Sequence, residues 1–224
     1  MFSVIVLCGG TGKRMEQKVP KQFLALAGKP LIMHSLERLD RIKEIDEIIL
    51  VCHSEYKDLL RHFVDSYMLQ KNYLIIDGGE TRQESTYLGL IKSNNEKVLI
   101  HEAARPFVSQ QEFEKIIHES SSRAIFGASI PFTVLQGKGK VDGVLMRDTL
   151  INVQLPQKFE RNELLDCHRK ARDDRLIFTE DASLLYHYTK ADIKVLEGQE
   201  YNLKITNRLD FCLGEWIYEE YINR

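Results

Sequence analysis

Short apolar runs rich in β-branched residues alternate along this chain with stretches that have helical spacing. The runs predict strands over Ser3–Leu7, Glu47–Val51, Tyr73–Ile76, Lys97–Ile100, Ala124–Ile130, Ile193–Leu196 and Tyr201–Ile205. The spacing predicts helices over Leu31–Arg41, Ser54–Val64, Glu84–Ile91, Gln110–Ser120, Arg161–Arg172, Asp181–Tyr188 and Asn207–Tyr221. Strands separated by helices in this rhythm indicate an α/β fold, with a mostly parallel sheet and right-handed crossovers.

Residues 133–155 depart from this rhythm. Two short apolar stretches flank a turn rich in Gly, Lys and Asp, and a third apolar stretch follows. This pattern predicts a β-hairpin, or arm, that projects from the α/β body. Since the chain has no repeats, low-complexity segments or long linker, we predict a single domain over residues 1–224 with a β-arm at about 133–155.

Composition and charge narrow the classes of partner. The chain has 224 residues and a formal net charge of −2, so no bulk charge draws it to nucleic acid or to an anionic membrane. Val4–Leu7 is too short for the apolar core of a signal peptide, and no run approaches the ~20 apolar residues of a membrane span. The four cysteines form no CxxC pair. We therefore expect a cytoplasmic protein with no nucleic-acid or membrane partner, whose anion sites are local clusters.

The first such cluster follows the first predicted strand, where ligands of parallel sheets bind. The turn Gly9–Gly12 exposes backbone N–H groups that suit phosphate oxygens, and Pro20 stiffens the approach to Lys21. Its nearby cations are Lys13, Arg14, Lys18 and Lys21. The turn is neither a P-loop nor a dinucleotide fingerprint, because it lacks the Lys-Ser/Thr of the former and the third glycine of the latter. A tight structural turn with a solvated basic surface is the alternative interpretation.

Two further loops end strands at the same edge of the predicted sheet. Asp77-Gly78-Gly79 is followed by Glu80, Arg82 and Ser85, and could be a plain turn or a contact for a sugar or base. The fourth predicted strand delivers His101, Glu102 and Arg105. Glu102 and Arg105 could pair with each other, or could hold a metal or hydroxyl and a phosphate respectively. His101 is expected to be a hydrogen-bonded structural histidine.

The last candidates lie in the final quarter of the chain. Thr179 precedes Glu180 and Asp181 in a pattern typical of a helix N-cap. Lys204 lies in a run where Leu203 and Ile205 would point to the opposite face of a strand. A lysine in such a strand either extends its ammonium group to solvent or faces a polar ligand.

Taken together, these motifs resemble those of the cytidylyltransferases that activate small polyol phosphates with CTP. The motifs occur in that family's order from Ser3 to about Asp210, and they read GGTGKRM, PKQFL, GGETRQES, HEAARPFV, PQKF, TEDAS and YNLKIT. The pattern is most similar to the 2-C-methyl-D-erythritol 4-phosphate cytidylyltransferase family of the non-mevalonate isoprenoid pathway. The ribitol-5-phosphate cytidylyltransferases of teichoic-acid or capsule synthesis are nearly as similar.

This resemblance implies a Rossmann-like α/β domain with a protruding β-arm, a homodimer formed through the arm, and catalysis that depends on Mg²⁺ or another divalent cation. It implies transfer of CMP from CTP to a polyol phosphate, with release of pyrophosphate. The nucleotide-binding residues it implies are Leu7, Cys8, Gly9, Gly10, Thr11, Gly12, Gly79, Glu80, Arg82 and Ser85. The catalytic residues it implies are Arg14, Lys21 and Lys204. The substrate-binding residues it implies are Glu102, Arg105, Thr179 and, from the arm of the neighbouring subunit, Arg147.

Three positions depart from the family pattern. Glu102 stands where the family usually has Asp, Val134-Leu135 replaces an Asp-Thr pair, and Leu155 replaces a Thr before the Pro-Gln of PQKF. The nucleotide half of the pattern therefore fits better than the acceptor half, and these positions bear on which polyol phosphate is used.

Three alternatives remain at this point. One is a ribitol-phosphate enzyme or an enzyme for another sugar-alcohol phosphate. A second is a nicotinamide oxidoreductase, which the sheet rhythm alone would allow but which the missing GxGxxG disfavours. A third is an inactive nucleotide-binding regulator, which the presence of Arg14, Lys21 and Lys204 disfavours.

Overall fold

The computed structural model describes residues 1–10 and 19–222. Its strands are β1 Phe2–Leu7, β2 Ala25–Leu26, β3 Lys29–Pro30, β4 Ile45–Cys52, β5 Asn72–Asp77, β6 Lys97–Glu102, β7 Ala124–Ala128, β8 Leu135–Gly137, β9 Val141–Val144, β10 Asn152–Glu160 and β11 Lys194–Glu197. Its α-helices are α1 Leu31–Asp40, α2 Lys57–Ser66, α3 Arg82–Lys92, α4 Gln110–His118, α5 Arg161–Asp173, α6 Asp181–Thr189 and α7 Arg208–Ile217. Short 3₁₀ turns occur at Lys21–Phe23, Ser54–Tyr56 and Arg147–Thr149, and a π-helical turn at Tyr218–Ile222 follows α7.

Seven strands form the central sheet in the order β11-β7-β10-β6-β1-β4-β5. Among these strands, neighbours are parallel except where β10 is involved. Leu7, the last residue of β1, lies opposite Val51 on one side and Glu102 on the other. The carboxyl ends of β1, β4 and β6 therefore lie side by side, and the predicted mostly parallel α/β fold is confirmed.

The two faces of the sheet are covered by different helices. Val4 and Val6 of β1 pack with residues of α1, α2 and α4, whereas Ile5 and Leu7 pack with residues of α3, α5 and α6. This alternation is what a strand buried on both faces requires. The helix α3 approaches β1 closely, since a Cβ on Gly89 would lie 2.6 Å from Cγ2 of Ile5. Gly89 thus allows the C-terminal half of α3 to pack closely on β1.

The strand β10 was not predicted, because its sequence NVQLPQKFE has polar residues where an apolar run would be expected. Its polar side chains are nevertheless buried and bonded: Gln157 donates to Glu180, and Lys158 donates to the carbonyl of Glu119. The register against β7 shifts between Gln154 and Gln157, and this irregularity accommodates Pro156, which has no N–H for a ladder. The third apolar stretch of the 133–155 segment thus enters the central sheet.

The prediction of a strand over residues 201–205 was wrong. These residues form an irregular segment that lies against the loop after β6, with the N–H of Ile205 bonded to the carbonyl of Ala104. The alternation of apolar residues arises because Ile205 packs in a small cluster with Leu26 and Phe107, and not because a ladder of strand bonds exists.

The strands β8 and β9 form a separate two-stranded antiparallel hairpin. Most residues of this hairpin are exposed, including the apolar side chains of Val141 and Val144, and Met146 just after β9 is exposed as well. The hairpin corresponds to the predicted arm; the interpretation of the chain as one domain stays a prediction. Within residues 1–10 and 19–222, every helix is too short or too polar to cross a lipid bilayer.

Candidate active site

A cavity of about 410 Å³ lies at the carboxyl edge of the sheet. Its walls come from four segments: the end of β1 with the 3₁₀ turn after it, the loop between β5 and α3, the loop after β6, and the irregular segment before α7. The lining residues are Leu7, Cys8, Gly9, Gly10, Lys21, Gln22, Gly79, Glu80, Thr81, Arg82, Ser85, Glu102, Ala103, Ala104, Lys204 and Thr206. The structure thus brings strand-end residues that are far apart in sequence to one place, as expected for parallel α/β sheets.

The end of β1 forms one wall of this cavity. The N–H of Cys8 donates to the carbonyl of Val51 at 2.8 Å, which extends the pairing with β4 by one residue. The buried Gln22 amide donates to the carbonyl of Cys8 at 2.6 Å and connects the 3₁₀ turn to the strand end. Leu7, Cys8, Gly9 and Gly10 line the cavity, and their role in nucleotide binding stays a prediction. The predicted Thr11, Gly12 and Arg14, with the neighbouring cations Lys13 and Lys18, lie outside the described residues.

Lys21 enters the cavity from the 3₁₀ turn that begins after Pro20. Its Nζ donates to the carbonyl of Ile205 at 2.6 Å, so the turn is linked to the segment before α7. The backbone of Pro20 is extended, with ψ of 143°, which directs the chain into the turn. Lys21 therefore places a cation in the cavity that the end of β1 also lines.

The loop between β5 and α3 presents the N-terminus of a helix to the cavity. Thr81 caps α3, because its side chain accepts from the N–H of Glu84. The N–H of Gly79 donates to Ser85 Oγ at 3.1 Å, and the N–H of Glu80 donates to Glu84 Oε2 at 2.9 Å. A Cβ on Gly79 would lie 2.2 Å from Glu84 Cγ, so the loop requires glycine there. The N-terminus of a helix carries a partial positive charge that favours anions.

Glu102 is the central charge of the cavity. Its carboxylate is divided between two cations: Oε1 accepts from Arg82 Nε at 2.7 Å, and Oε2 lies 2.6 Å from Lys204 Nζ. The side chain is only 8% exposed, compared with 41% for Lys204. The alternative that Glu102 pairs with Arg105 is therefore wrong, since Arg105 instead donates to the carbonyl of Asn202 at 2.8 Å.

A second buried carboxylate continues this arrangement beyond the cavity wall. Arg82 Nη1 donates to Asp181 Oδ2 at 2.8 Å, and Asp181 Oδ1 lies 3.0 Å from His168 Nε2. Asp181 and His168 are buried, with side chains 1% and 0% exposed. The sequence predicted no site role for either residue, because both are remote from the strand-end motifs.

The ionisation of these groups follows from their partners. Burial raises the pKa of Glu102, but the charges of Arg82 and Lys204 outweigh it and lower this pKa to about 2. Burial likewise raises the pKa of Asp181, while Arg82 and the hydrogen bond from His168 lower it to about 2. For Arg82, burial lowers the pKa and the two carboxylates more than reverse this, so the guanidinium stays charged. Glu102, Asp181 and Arg82 are therefore ionised at neutral pH.

Three predicted residues within the described part of the chain do not line the cavity. Arg105 is half-buried behind the loop after β6, and the exposed Arg147 donates to the carbonyl of Pro131 near the hairpin. Thr179 is exposed and does not cap α6; Glu180 does so, because its carboxylate accepts from the N–H groups of Ala182 and Ser183. The roles of Arg105, Arg147 and Thr179 in substrate binding stay predictions.

His101 is a structural residue, as the sequence suggested. Its ring is fully buried, packs edge-on against Phe113 and lies 3.1 Å from Ser35 Oγ. Burial lowers its pKa to about 3, so the imidazole is neutral at physiological pH. It does not line the cavity.

The positions that depart from the family pattern differ in their surroundings. Leu155 is buried in the apolar cluster beneath α5 and α6, where a hydroxyl would have no solvent access. Leu135 is exposed at the start of the hairpin. Glu102 alone of the three lies in the cavity wall.

Sequence reasoning missed five lining residues. They are Gln22, Thr81, Ala103, Ala104 and Thr206. For Thr81 a signal was present, since Thr81 and Glu84 have the spacing of a capping box, which marks a helix start at Arg82. Ala103 and Ala104 carry no chemical signal and contribute by leaving room.

Few carboxylates of the described residues face the cavity. Glu80 and Glu102 are the carboxylates that line the cavity within residues 1–10 and 19–222, and Glu102 is already held by two cations. In this part of the chain no group of three His, Cys, Asp or Glu side chains could hold a metal ion. This donor set suits a Mg²⁺ ion held mainly by substrate phosphates and water, which is how Mg²⁺ commonly binds beside nucleotides.

Comparisons with known proteins agree with the motif order. The family model described as 2-C-methyl-D-erythritol 4-phosphate cytidylyltransferase matches residues 2–220. A protein of that name from Clostridium botulinum (strain Langeland, type F) is 36% identical over 227 residues, covering 97% of both chains. The crystal structure of 4-diphosphocytidyl-2C-methyl-D-erythritol synthase from Anaerococcus prevotii is similar with a TM-score of 0.86 and 28% identity, over 98% of this chain and 96% of that one. The 2-C-methyl-D-erythritol 4-phosphate cytidylyltransferase of Thermus thermophilus gives a TM-score of 0.78 and 25% identity, over 98% and 100% of the chains.

Proposed function

Because this chain belongs to the 2-C-methyl-D-erythritol 4-phosphate cytidylyltransferase family, we propose that it transfers CMP from CTP to 2-C-methyl-D-erythritol 4-phosphate. The products are a CDP-alcohol and pyrophosphate, and the reaction is a step of isoprenoid biosynthesis. The chain is a nucleotidyltransferase, so the nicotinamide alternative is not retained. Family membership also favours methylerythritol phosphate over ribitol phosphate as the acceptor.

The convergence of Lys21, Lys204 and the N-terminus of α3 on one cavity is the observation that supports this function. These groups supply positive charge and backbone donors around a space large enough for a nucleotide's phosphates. Gly9, Gly10 and Gly79 have no side chain beyond Cα, which allows a ligand to approach the backbone closely. We assign the nucleotide to this wall of the cavity. The family motif adds Thr11, Gly12 and Arg14 to the residues that are expected to contact CTP.

The reaction needs no general base in this scheme. A phosphate oxygen of the acceptor attacks the α-phosphorus of CTP in line, a new P–O bond forms, and the bond to the β-phosphate oxygen breaks. A phosphate dianion is already a nucleophile at neutral pH, so catalysis consists of positioning and of neutralising the charge that develops. We assign to Lys21 the neutralisation of the negative charge that develops on the transferred and leaving phosphates. The family motif assigns the same role to Arg14.

A divalent cation is proposed as the cofactor, with Mg²⁺ the expected ion. It would be held by phosphate oxygens of CTP beside Glu80 and the β1 strand end. When bound, it supplies further positive charge to the triphosphate. The protein's own contribution is to hold the phosphates with Lys21 and with backbone N–H groups.

The acceptor is assigned to the side of the cavity that carries Glu102 and Lys204. Lys204 offers an ammonium group to the acceptor phosphate, and Glu102 holds that ammonium in place at 2.6 Å. By the family resemblance, Arg147 of one protomer reaches the substrate of its partner, and Arg105 and Thr179 complete the acceptor site. A homodimer formed through the hairpin is part of this proposal, as is a location in the cytoplasm, which suits the free thiols of Cys8, Cys52 and Cys167.

Pyrophosphate release from CTP tests this function directly. The purified protein is assayed with Mg²⁺ and 2-C-methyl-D-erythritol 4-phosphate, D-ribitol 5-phosphate or D-arabinitol 5-phosphate. We expect release with the first acceptor at a kcat/KM well above that with the other two. Release with ribitol phosphate alone would change the acceptor assignment, and no release with any acceptor would contradict the proposed function.

A further inference from the structure

A continuous line of polar side-chain contacts runs from the cavity into the interior of the molecule. It begins at Lys204, passes through Glu102 and Arg82, and ends at Asp181 and His168. The successive contacts are 2.6, 2.7, 2.8 and 3.0 Å. Lys204, Glu102 and Arg82 are 41%, 8% and 21% exposed, whereas Asp181 and His168 are only 1% and 0% exposed. The last two members therefore cannot touch a substrate in the cavity.

We propose that Asp181 and His168 are positioning residues of the acceptor site, which act through Arg82 to keep one oxygen of Glu102 on Lys204. This inference rests on the proposed function, because it assigns Lys204 to the acceptor phosphate. It concerns residues of α5 and α6, which the strand-end motifs leave without a role.

The donor atoms of Arg82 are divided between two carboxylates, and this division supports the positioning role. Arg82 uses Nε for Glu102 and Nη1 for Asp181, so its planar fork is shared between two carboxylates. A guanidinium with one carboxylate neighbour favours a bidentate arrangement, in which both carboxylate oxygens are taken by the same arginine. If Asp181 did not hold Nη1, Arg82 could turn its fork onto both oxygens of Glu102. Lys204 would then lose the oxygen that fixes its ammonium group.

His168 fixes Asp181 in the same manner. Asp181 gives Oδ2 to Arg82 and Oδ1 to His168 Nε2, so each carboxylate oxygen has its own partner and the group cannot rotate without breaking a bond. His168 is itself held on α5, whose buried residues Leu164, Leu165 and Ala171 pack beneath the sheet. The buried faces of α5 and α6 thus determine where Arg82 lies.

Kinetic analysis of two substitutions tests this role. In Asp181→Asn the charge that holds Arg82 is removed, and in His168→Leu the donor to Asp181 is removed. For each we expect kcat/KM for the acceptor to fall about 10- to 100-fold, by analogy with outer partners of metal ligands. The Kd of CTP should remain near the wild-type value, because the contact between Gly79 and Ser85 is not part of this line. His168→Gln retains a side-chain donor and should recover most of the activity lost in His168→Leu.

A matched control separates positioning from general loss of stability. Glu163→Gln removes a two-bond pair with Arg123 from the same helix α5, far from Arg82. We expect it to lower the thermal midpoint without changing the acceptor KM. If Asp181→Asn and His168→Leu behave like Glu163→Gln, with lower midpoints and unchanged acceptor kinetics, the positioning role is wrong.

A crystal structure of Asp181→Asn gives a readout that does not depend on turnover. The inference predicts that Arg82 binds both oxygens of Glu102 and that Lys204 Nζ moves more than 4 Å from the carboxylate. An unchanged contact between Lys204 and Glu102 would overturn the inference even if the variant were less active. Failure of the proposed function has a different signature, since the wild-type protein would then release no pyrophosphate.

Discussion

Lys21 and Lys204 enter the same cavity from different segments, and their surroundings differ. Lys21 Nζ donates to a backbone carbonyl, that of Ile205, whereas Lys204 Nζ pairs with the carboxylate of Glu102. A lysine held by a carboxylate is oriented by that contact before a ligand binds. By the proposed function, Lys21 is assigned to charge stabilisation and Lys204 to substrate positioning.

Substitution of Lys21 tests the first of these tasks. Lys21→Ala removes a cation from the phosphates where charge develops, so we expect kcat to fall roughly 10²- to 10³-fold, as for loss of one electrostatic donor. The measurement is steady-state pyrophosphate release at saturating CTP and acceptor. Lys170→Ala, which removes an exposed lysine on α5, is the control and should retain wild-type kcat. A near-normal kcat in Lys21→Ala would exclude Lys21 from the chemical step.

Ser85 is expected to shape the nucleotide loop. Its hydroxyl accepts from the N–H of Gly79 at 3.1 Å, and Ser85→Ala removes that acceptor. A net hydrogen bond is worth about 1 kcal/mol, so the Kd of CTP measured by calorimetry should rise about fivefold. Ser93→Ala, at the opposite end of α3, removes a hydroxyl that donates to the carbonyl of Leu90 and should leave the Kd unchanged. Equal affinities in all three proteins would mean that the loop does not contact CTP.

Single residues with a chemical signal could be found from the sequence, and their pairings could not. Lys21, Glu102, Arg82 and Lys204 were all predicted at the site, because a charged residue after an apolar run is visible in the chain. The ion pair between Arg82 and Asp181 spans 99 residues, and no local pattern encodes it. It exists because α3 and α6 are packed on the same face of the sheet.

Helices and strands could be predicted from the sequence where a single hydrophobic periodicity dominates. The run of β1 and the apolar stripe of α1 are continuous, and both were predicted to within a residue of their bounds. The strand β10 was missed because its buried polar residues obtain partners from distant loops, which periodicity cannot reveal. The segment 201–205 was misread for the opposite reason, since alternation there reflects packing of single side chains around a loop.

The exposed hairpin of β8 and β9 is the expected dimer interface. Val144 and Met146 are 78% and 75% exposed, and such apolar exposure on a projecting element is typical of an interface. Under the proposed homodimer, Val144→Glu places a charge in that interface, so the molar mass measured by light scattering should fall from that of two chains to that of one. Lys140→Glu, at the exposed turn of the hairpin, is the control and should leave the mass unchanged. A wild-type protein that is already monomeric would contradict the dimer.

At the scale of the whole molecule, the net charge is small, but several charged side chains are concentrated in the cavity. The chain has a formal net charge of −2, yet its cavity is lined by Lys21, Arg82 and Lys204 against Glu80 and Glu102. The fold produces this concentration, because parallel strands bring the ends of β1, β5 and β6 to one edge of the sheet. The buried charges at this site are also expected to affect the free energy of unfolding of the whole protein.

Acid should therefore destabilise the folded protein through its two buried carboxylates. The pKa of Glu102 falls from an ordinary 4.5 to about 2 on folding, and that of Asp181 from 3.8 to about 2. A carboxylate whose pKa is lowered by folding stabilises the protein above its unfolded pKa, and this contribution is lost as pH falls toward the folded pKa. We expect the free energy of unfolding, measured with urea, to decrease between about pH 4.5 and pH 2, by about 3 kcal/mol from Glu102 and by less from Asp181.

The variant Glu102→Gln isolates this effect. It has no carboxylate to protonate at this position, and it leaves Arg82 and Lys204 without their shared partner, so its free energy of unfolding at pH 7 should be lower than that of the wild type. Its decline between pH 4.5 and pH 2 should also be shallower, so that the two curves converge in acid. Curves that remain parallel from pH 7 to pH 2.5 would show that the acid sensitivity arises elsewhere and that the charges around Glu102 contribute little to folding.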